Sequence, residues 1–171
     1  PLNRLQMEEL AKAGVERVSI ALDAVTPDLF DKVKGASSFS PYVWEKQRKT
    51  LEEAVQVFGK GLVSTHLIVG LGETEQQITE TIQWCVDLGV CPSLFAFTPI
   101  LGTALERMPQ PSITSYRRIQ LARYLIVYEK TRWENMKFDD KGRIVDFGVP
   151  KQKLQETVES GSPFHTSGCP S

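Results

Sequence analysis

The sequence lacks three features that would identify a function class at once. It has no run of about 18 apolar residues and no charged-then-apolar leader. It also has no excess of positive charge, since 20 Lys and Arg stand against 21 Asp and Glu. Membrane insertion, secretion and nucleic-acid binding are therefore unsupported, and we expect a cytoplasmic protein with neither membrane nor nucleic-acid partners.

Cysteine is also scarce. The three cysteines, Cys85, Cys91 and Cys169, are odd in number and widely spaced, and no Cys-x-x-Cys pair exists. This pattern argues against a disulfide framework and fits a reducing compartment. The chain starts on Pro1 inside a predicted helix and stops at Ser171 without closing an element, so we expect it to be a piece of a longer protein.

The most informative stretch is the run from Leu62 to Glu75. A nearly continuous apolar segment of strand length breaks on Gly-x-Gly-Glu and enters a capped helix, which is typical of a buried parallel strand and its βα loop. Ligands of α/β proteins bind at such loops. Alternation divides the strand into two faces. One face carries Val63, Thr65, Leu67 and Val69, and the other carries Ser64, His66, Ile68 and Gly70.

The remaining elements follow from periodicity and capping signals. Predicted helices cover residues 3–13, 26–35, 40–58, 74–89 and 114–133, with a weaker one at 151–159. Predicted strands cover residues 17–24, 62–69 and 93–99, and a hairpin covers 136–147. Strands that alternate with helices predict a parallel sheet. We assign residues 1–134 to these βα units and residues 135–171 to the hairpin and a C-terminal extension.

The small and polar strand face suits a nucleoside. Asp23 supplies a carboxylate for sugar hydroxyls, Gly70 allows a close backbone approach, and Phe95 to Pro99 offers an apolar wall for a flat ring. Three parallel strands do not close a barrel. Their polar faces would lie open to water unless further strands complete the curve.

The run Leu67 to Glu75 resembles the fifth-strand motif of radical S-adenosylmethionine enzymes, and it is most similar to the biotin synthase and lipoyl synthase branch. Ile68, Gly70 and Glu73 match that motif, while His66 stands where a glycine is expected. Residues 18–24 resemble the family's fourth strand, with Asp23 in the place of the ribose-binding carboxylate. Residues 94–99 resemble the sixth strand, whose backbone, here at Phe97 and Thr98, reads the adenine edge.

This resemblance implies the C-terminal half of a TIM-like partial (βα) barrel that binds S-adenosylmethionine through Asp23, His66, Ile68, Gly70, Glu73, Phe97 and Thr98. It implies hydrogen abstraction by a 5′-deoxyadenosyl radical in a transferase-like reaction, with sulfur insertion as one outcome. It also implies a ferredoxin or flavodoxin as electron donor and a small-molecule or protein-bound acyl substrate. No catalytic residue is identified.

The family's Cys-x-x-x-Cys-x-x-Cys motif, which ligates a [4Fe-4S] cluster, is nowhere in this sequence. We therefore expect the cluster ligands outside this chain and expect the chain to be inactive alone. Cys169 lies in a small-residue loop that could supply a ligand to an auxiliary cluster, although a free loop cysteine is the simpler interpretation. Arg48 lies in the helix where related enzymes carry an arginine for the cosubstrate carboxylate.

Other interpretations stay open. Asp23 could simply cap the helix that begins near Pro27, and His66 could be an ordinary interior histidine. The Gly70 to Glu73 loop could be a plain βα turn with a carboxylate at the helix entrance. The whole chain could then be a non-catalytic α/β domain that binds a nucleotide or a protein partner. An aldolase-like barrel is disfavoured because none of the three strands carries a lysine on its inner face.

Overall fold

Residues 2–165 are described by the computed structural model, and they form six α-helices and five strands. The helices are α1 (Arg4–Lys12), α2 (Pro27–Lys34), α3 (Trp44–Phe58), α4 (Glu75–Leu88), α5 (Ile113–Val127) and α6 (Lys151–Glu159). The strands are β1 (Val18–Ser19), β2 (Val63–Val69), β3 (Val90–Ala96), β4 (Lys137–Phe138) and β5 (Ile144–Asp146). Every predicted helix and strand is found, with changes at several ends.

The strands form two sheets. The first is a parallel sheet in the order β1-β2-β3, and the second is the antiparallel hairpin β4-β5. The predicted α/β class, parallel sheet and C-terminal hairpin are thus confirmed. Closure of the parallel sheet into a partial barrel stays a prediction, because the described residues contribute only three strands to it.

Burial along β2 alternates as its sequence predicts. Val63, Thr65, Leu67 and Val69 are buried, and the residues between them are half-buried. Each buried aliphatic side chain of this size contributes about 1.5–3 kcal/mol through removal from water. A shift of one residue in register would exchange the two faces, so this alternation fixes the register of the strand.

The first predicted strand is shorter than expected. Regular pairing covers only Val18 and Ser19, and a single further bridge joins Asp23 to Leu67. Thr65 explains the interruption, because its hydroxyl accepts from the Leu22 N–H at 3.0 Å and donates to the Ile20 C=O at 2.8 Å. A buried side chain therefore replaces one step of the backbone ladder, which no local pattern in residues 17–24 signals.

Two other strand and helix starts differ from the prediction. Helix α3 begins at Trp44, three residues after Pro41, and its N-cap Val43 makes no side-chain capping hydrogen bond. Strand β3 begins at Val90 rather than Ser93 and includes Pro92. Proline cannot donate to a ladder, but an edge strand tolerates it, and β3 is an edge strand of the described sheet.

Helix α5 starts as predicted, with the Ser112 hydroxyl accepting from the Ser115 N–H, but it ends at Val127 rather than near Trp133. Glu129 adopts a left-handed backbone with φ of 53°, and the Lys130 N–H folds back onto the Leu125 C=O at 2.8 Å. This is the usual geometry of a helix C-terminus, although glycine generally occupies the left-handed position. The sequence predicts too long a helix here because apolar residues continue beyond Val127.

The described chain divides into two compact units. The first unit contains residues 2–67 and 84–93, and the second contains residues 68–83 and 94–165. In the first unit α1 packs against α3, and the Phe30 and Trp44 rings meet edge to face with centroids 5.5 Å apart. The second unit contains α5, α6 and the hairpin.

A buried ion pair holds the second unit together. Glu75, at the start of α4, is 5% exposed, and its Oε2 and Oε1 lie 2.9 and 3.0 Å from the Nε of Arg118 on α5. The same carboxylate accepts from the Ser115 hydroxyl and from the Ile144 N–H of β5, each at 2.8 Å. Burial alone would raise the pKa of Glu75, but the hydrogen bonds from Arg118, Ile144 and Ser115 outweigh it and hold that pKa below 4.5.

Breaking this pair should destabilise the protein strongly. We expect Arg118→Met to lower the free energy of unfolding by about 3 kcal/mol, because it leaves a buried carboxylate without its cation. Denaturant unfolding measures the change. Arg107→Met is the matched control, since Arg107 is 94% exposed, and it should change the value by less than about 0.5 kcal/mol. Equal effects of the two variants would contradict the structural role of Glu75.

The pair also predicts a pH dependence. A carboxyl group whose pKa is lowered by folding stabilises the folded state above its ordinary pKa of 4.5 and loses that contribution as the pH falls through the folded-state value. The stability difference between the wild type and Glu75→Gln should therefore shrink as the pH is lowered below 4.5. Unfolding curves at several pH values test this, and a difference that grows on acidification would contradict it.

Candidate functional site

The loop after β2 closes on its own glutamate. The Gly70 N–H donates to Glu73 Oε1 at 2.6 Å, and the Leu71 N–H donates to Oε2 at 2.9 Å. Thr74 and Gln77 then form the predicted capping box at the start of α4, with hydrogen bonds of 2.9 and 3.2 Å. Both carboxylate oxygens of Glu73 thus satisfy backbone groups left where the strand ends.

The carboxyl group of Glu73 is partly buried. Its burial raises the pKa above the ordinary 4.5, and the N–H groups of Gly70, Glu73, Leu71 and Gly72 oppose that shift without cancelling it. The group is therefore protonated more readily than a surface glutamate.

The backbone conformation and the packing at position 70 both require glycine. Its φ is +104°, and a Cβ at this position would lie 2.8 Å from Cδ of Pro111. The sequence predicted a glycine for close approach of a ligand, and the structure shows the ring of Pro111 in close approach instead. The interpretation of Gly70 to Glu73 as a closed βα turn explains these contacts fully. Its contact with a cofactor stays a prediction.

An apolar loop follows β3 in the same unit. The Phe97 N–H donates to the Val69 C=O at 2.8 Å, which brings Phe97 to the end of β2. Large exposed side chains flank it, namely Phe95 (47% exposed), Ile100 (64%) and Leu101 (92%), and Thr98 is exposed as well. A flat heterocycle could pack on such a surface, whose apolar groups otherwise face water.

Asp23 lies four residues after β1, in the first unit, and forms an isolated bridge to Leu67 of β2. Its backbone is left-handed with φ of 65°, and its N–H donates to the His66 C=O at 2.8 Å. Its Oδ2 lies 2.7 Å from Nζ of Lys34, and Lys34 also donates to the Ala21 C=O at 2.6 Å. The helix that follows is capped by the Thr26 hydroxyl, which accepts from Leu29, and no capping bond of that helix involves Asp23. The alternative in which Asp23 serves only as a helix cap is therefore wrong.

Gln47 belongs to the same cluster. It is 4% exposed, and its Nε2 donates to the Ala21 C=O at 2.8 Å, but its Oε1 is buried without a hydrogen-bond partner among the described residues. A buried acceptor in this state costs free energy and marks an incomplete network. Sequence reasoning missed both Lys34 and Gln47, because each lies on a helix whose apolar stripe gave the only local signal.

The other predicted residues are easily placed. His66 and Ile68 are half-buried on the predicted polar face of β2. The Arg48 guanidinium stacks over the Trp84 ring, 4.1 Å from its centroid, so a packing role accounts for it. Cys169 lies outside the described residues, and its role as a cluster ligand stays a prediction.

Two further findings concern only residues 2–165. No helix there is both long and apolar enough to cross a bilayer. No three side chains of the His, Cys, Asp or Glu types are grouped there in a way that could hold a metal ion. The cytoplasmic location and the iron-sulfur cluster therefore stay predictions.

The raised pKa of Glu73 makes its pH dependence opposite to that of Glu75. A carboxyl group whose pKa is raised by folding stabilises the folded state below its ordinary 4.5 and loses that contribution as the pH rises through the folded-state value. The unfolding free energy of the wild type relative to Glu73→Gln should thus fall as the pH rises above 4.5. Unfolding curves at several pH values measure the change, and Glu80→Gln, at an exposed position of α4, is the control.

Comparison with known proteins gives two matches. Residues 2–85, just under half of the chain, match the Radical SAM superfamily. A bacteriochlorophyllide c C-7(1)-hydroxylase of Chlorobaculum limnaeum is 26% identical over 107 residues, which are 63% of this chain and 26% of that protein. The chain thus spans about a quarter of the length of this curated relative.

These matches support the resemblance at the superfamily level and not at the level of the biotin and lipoyl synthase branch. The matched range contains β1, β2 and the first part of α4 and ends before β3, so Phe97 and Thr98 lie outside it. Residues 2–85, which include Asp23, His66, Ile68, Gly70 and Glu73, are therefore the part of this chain that matches the Radical SAM superfamily.

Proposed function

We propose that this chain is the part of a radical S-adenosylmethionine enzyme that binds the cosubstrate and lines the substrate cavity. The single observation that carries the proposal is the superfamily match over residues 2–85, which covers Asp23 and the Gly70 to Glu73 loop. A relative named as a hydroxylase adds support for an enzyme over a binding module.

The donor set suits a nucleoside in each unit taken by itself. In the first unit Asp23 has one carboxylate oxygen paired with Lys34 and a second oxygen with which to accept from sugar hydroxyls. In the second unit the exposed apolar loop from Phe95 to Leu101 offers a surface for a flat base.

The described residues do not fit an iron-sulfur cluster, since none of their side chains is grouped for metal binding. We therefore assign the cluster ligands to sequence outside this chain. When bound at such a cluster, S-adenosylmethionine supplies the means to abstract hydrogen from an unactivated carbon. This chain's contribution is to bind the nucleoside and to exclude water from it.

The type of reaction that follows hydrogen abstraction is a separate part of the proposal. The name of the relative favours hydroxylation of a carbon centre, while sulfur insertion and the biotin or lipoyl synthase branch are supported only by the motif at residues 67–75. We propose a C–H functionalising reaction that takes electrons from a ferredoxin or flavodoxin. A small-molecule or protein-bound acyl substrate is part of the same proposal.

The test uses the full-length protein, reconstituted anaerobically with iron and sulfide. We expect release of 5′-deoxyadenosine on reduction, and we expect Asp23→Ala to weaken S-adenosylmethionine binding by about tenfold or more through loss of hydrogen bonds to a charged group. Asp28→Ala is the control, because Asp28 lies exposed five residues away and should bind as the wild type does.

Two outcomes would contradict this proposal. A cluster-loaded protein that releases no 5′-deoxyadenosine, with or without candidate substrates, would argue against the enzyme. If such a protein still binds adenosine, the non-catalytic nucleotide-binding alternative gains support. Equal binding by Asp23→Ala and Asp28→Ala would remove Asp23 from the site.

A further inference from the structure

The segment that follows β1 has one residue more than the matching part of β2 before it reaches Asp23. Val18 pairs with Val63, a difference of 45 positions, whereas Asp23 pairs with Leu67, a difference of 44. The extra residue is a bulge, and bulges of this kind occur next to active sites, where they redirect a side chain. The bulge removes the backbone partners of the intervening residues, which must then be satisfied by side chains.

Lys34 takes up two of the acceptors at this bulge. Its Nζ lies 2.6 Å from the Ala21 C=O and 2.7 Å from Asp23 Oδ2, and its side chain is only 17% exposed. The same ammonium lies 5.3 Å from the centroid of the Tyr42 ring, which limits its freedom further. Lys34 thus ties the Asp23 carboxylate to the backbone of the bulge.

Two features around Asp23 are unfavourable in free energy. Asp23 adopts a left-handed backbone, which costs free energy for a residue other than glycine, and the buried Oε1 of Gln47, beside the same carbonyl, has no hydrogen-bond partner within residues 2–165. Strain and an unmet acceptor at one place are typical of a site organised for a ligand rather than for stability. Asp23 and Gln47 both lie within the first unit.

We propose that Lys34 is a positioning residue for the cosubstrate. It holds Asp23 Oδ2, so that the other carboxylate oxygen is directed at the vicinal hydroxyls of the nucleoside before binding occurs. This inference rests on the proposed function, because it names the group that orients the ribose-binding carboxylate. Nothing in the sequence around Lys34 signals this role, since it lies in the last turn of α2 where a lysine commonly complements the helix dipole.

The test compares ligands with and without the hydroxyls. In the full-length protein, binding of adenosine and of 2′,3′-dideoxyadenosine is measured for the wild type, Lys34→Met and Lys32→Met. Lys32 lies exposed on the same helix, and its replacement by methionine removes the same charge. We expect Lys34→Met to weaken adenosine by about tenfold and the dideoxy compound by less than about twofold, because a mispositioned carboxylate affects only a ligand that donates to it. Lys34→Arg should restore part of the loss.

If Lys34 had only a structural role, Lys34→Met would weaken the binding of both ligands equally, and that result would overturn the proposal. Equal binding by Lys34→Met and Lys32→Met would overturn it as well. If Lys34→Met does not fold, Lys34→Gln keeps a donor to Ala21 without the charge, and the same comparison of ligands decides. Failure of the proposed function looks different, since the cluster-loaded wild type would then release no 5′-deoxyadenosine, whatever the Lys34 variants bind.

Discussion

The structure depends on how backbone groups are satisfied where the parallel strands end. A parallel ladder leaves N–H and C=O groups unpaired at the carboxyl ends of its strands, and buried groups of this kind need partners. Here side chains supply them. The Thr65 hydroxyl accepts a hydrogen bond from the Leu22 N–H and donates one to the Ile20 C=O. The Glu73 carboxylate accepts from the N–H groups of Gly70 and Leu71. Lys34 and Gln47 both donate to the Ala21 C=O.

This constraint separates the two carboxylates that the motif resemblance treats alike. Both oxygens of Glu73 are committed to the turn that it closes, so a ligand would compete with the fold for them. Asp23 has one oxygen paired with Lys34 and is partly exposed. Asp23 is therefore the stronger candidate for contact with a bound nucleoside, and Glu73 is better understood as the residue that shapes the loop.

Local pattern accounts for much of the fold and for less of the site. The alternation in β2, the capping box of Thr74 and Gln77 and the start of α2 after Thr26 are all encoded within a few residues, and all are found. The Thr65 hydroxyl bonds the backbone of the bulge after β1 from more than 40 residues along the chain, and the Glu75 to Arg118 pair joins residues 43 apart. Periodicity carries no information about such long-range polar partners, so they were missed.

The position of Glu75 connects stability to function in the second unit. It stands two residues after Glu73, and its bonds to Arg118 and Ile144 attach the first turn of α4 to α5 and to the hairpin. The turn from Gly70 to Glu73 is thereby held at both ends, by β2 on one side and by an anchored helix on the other. A loop held in this way keeps its geometry when a ligand is absent, so little ordering entropy opposes binding. On the proposal that a nucleoside binds at this loop, the buried ion pair would favour binding through the rigidity of the loop, without any contact between its charges and the ligand.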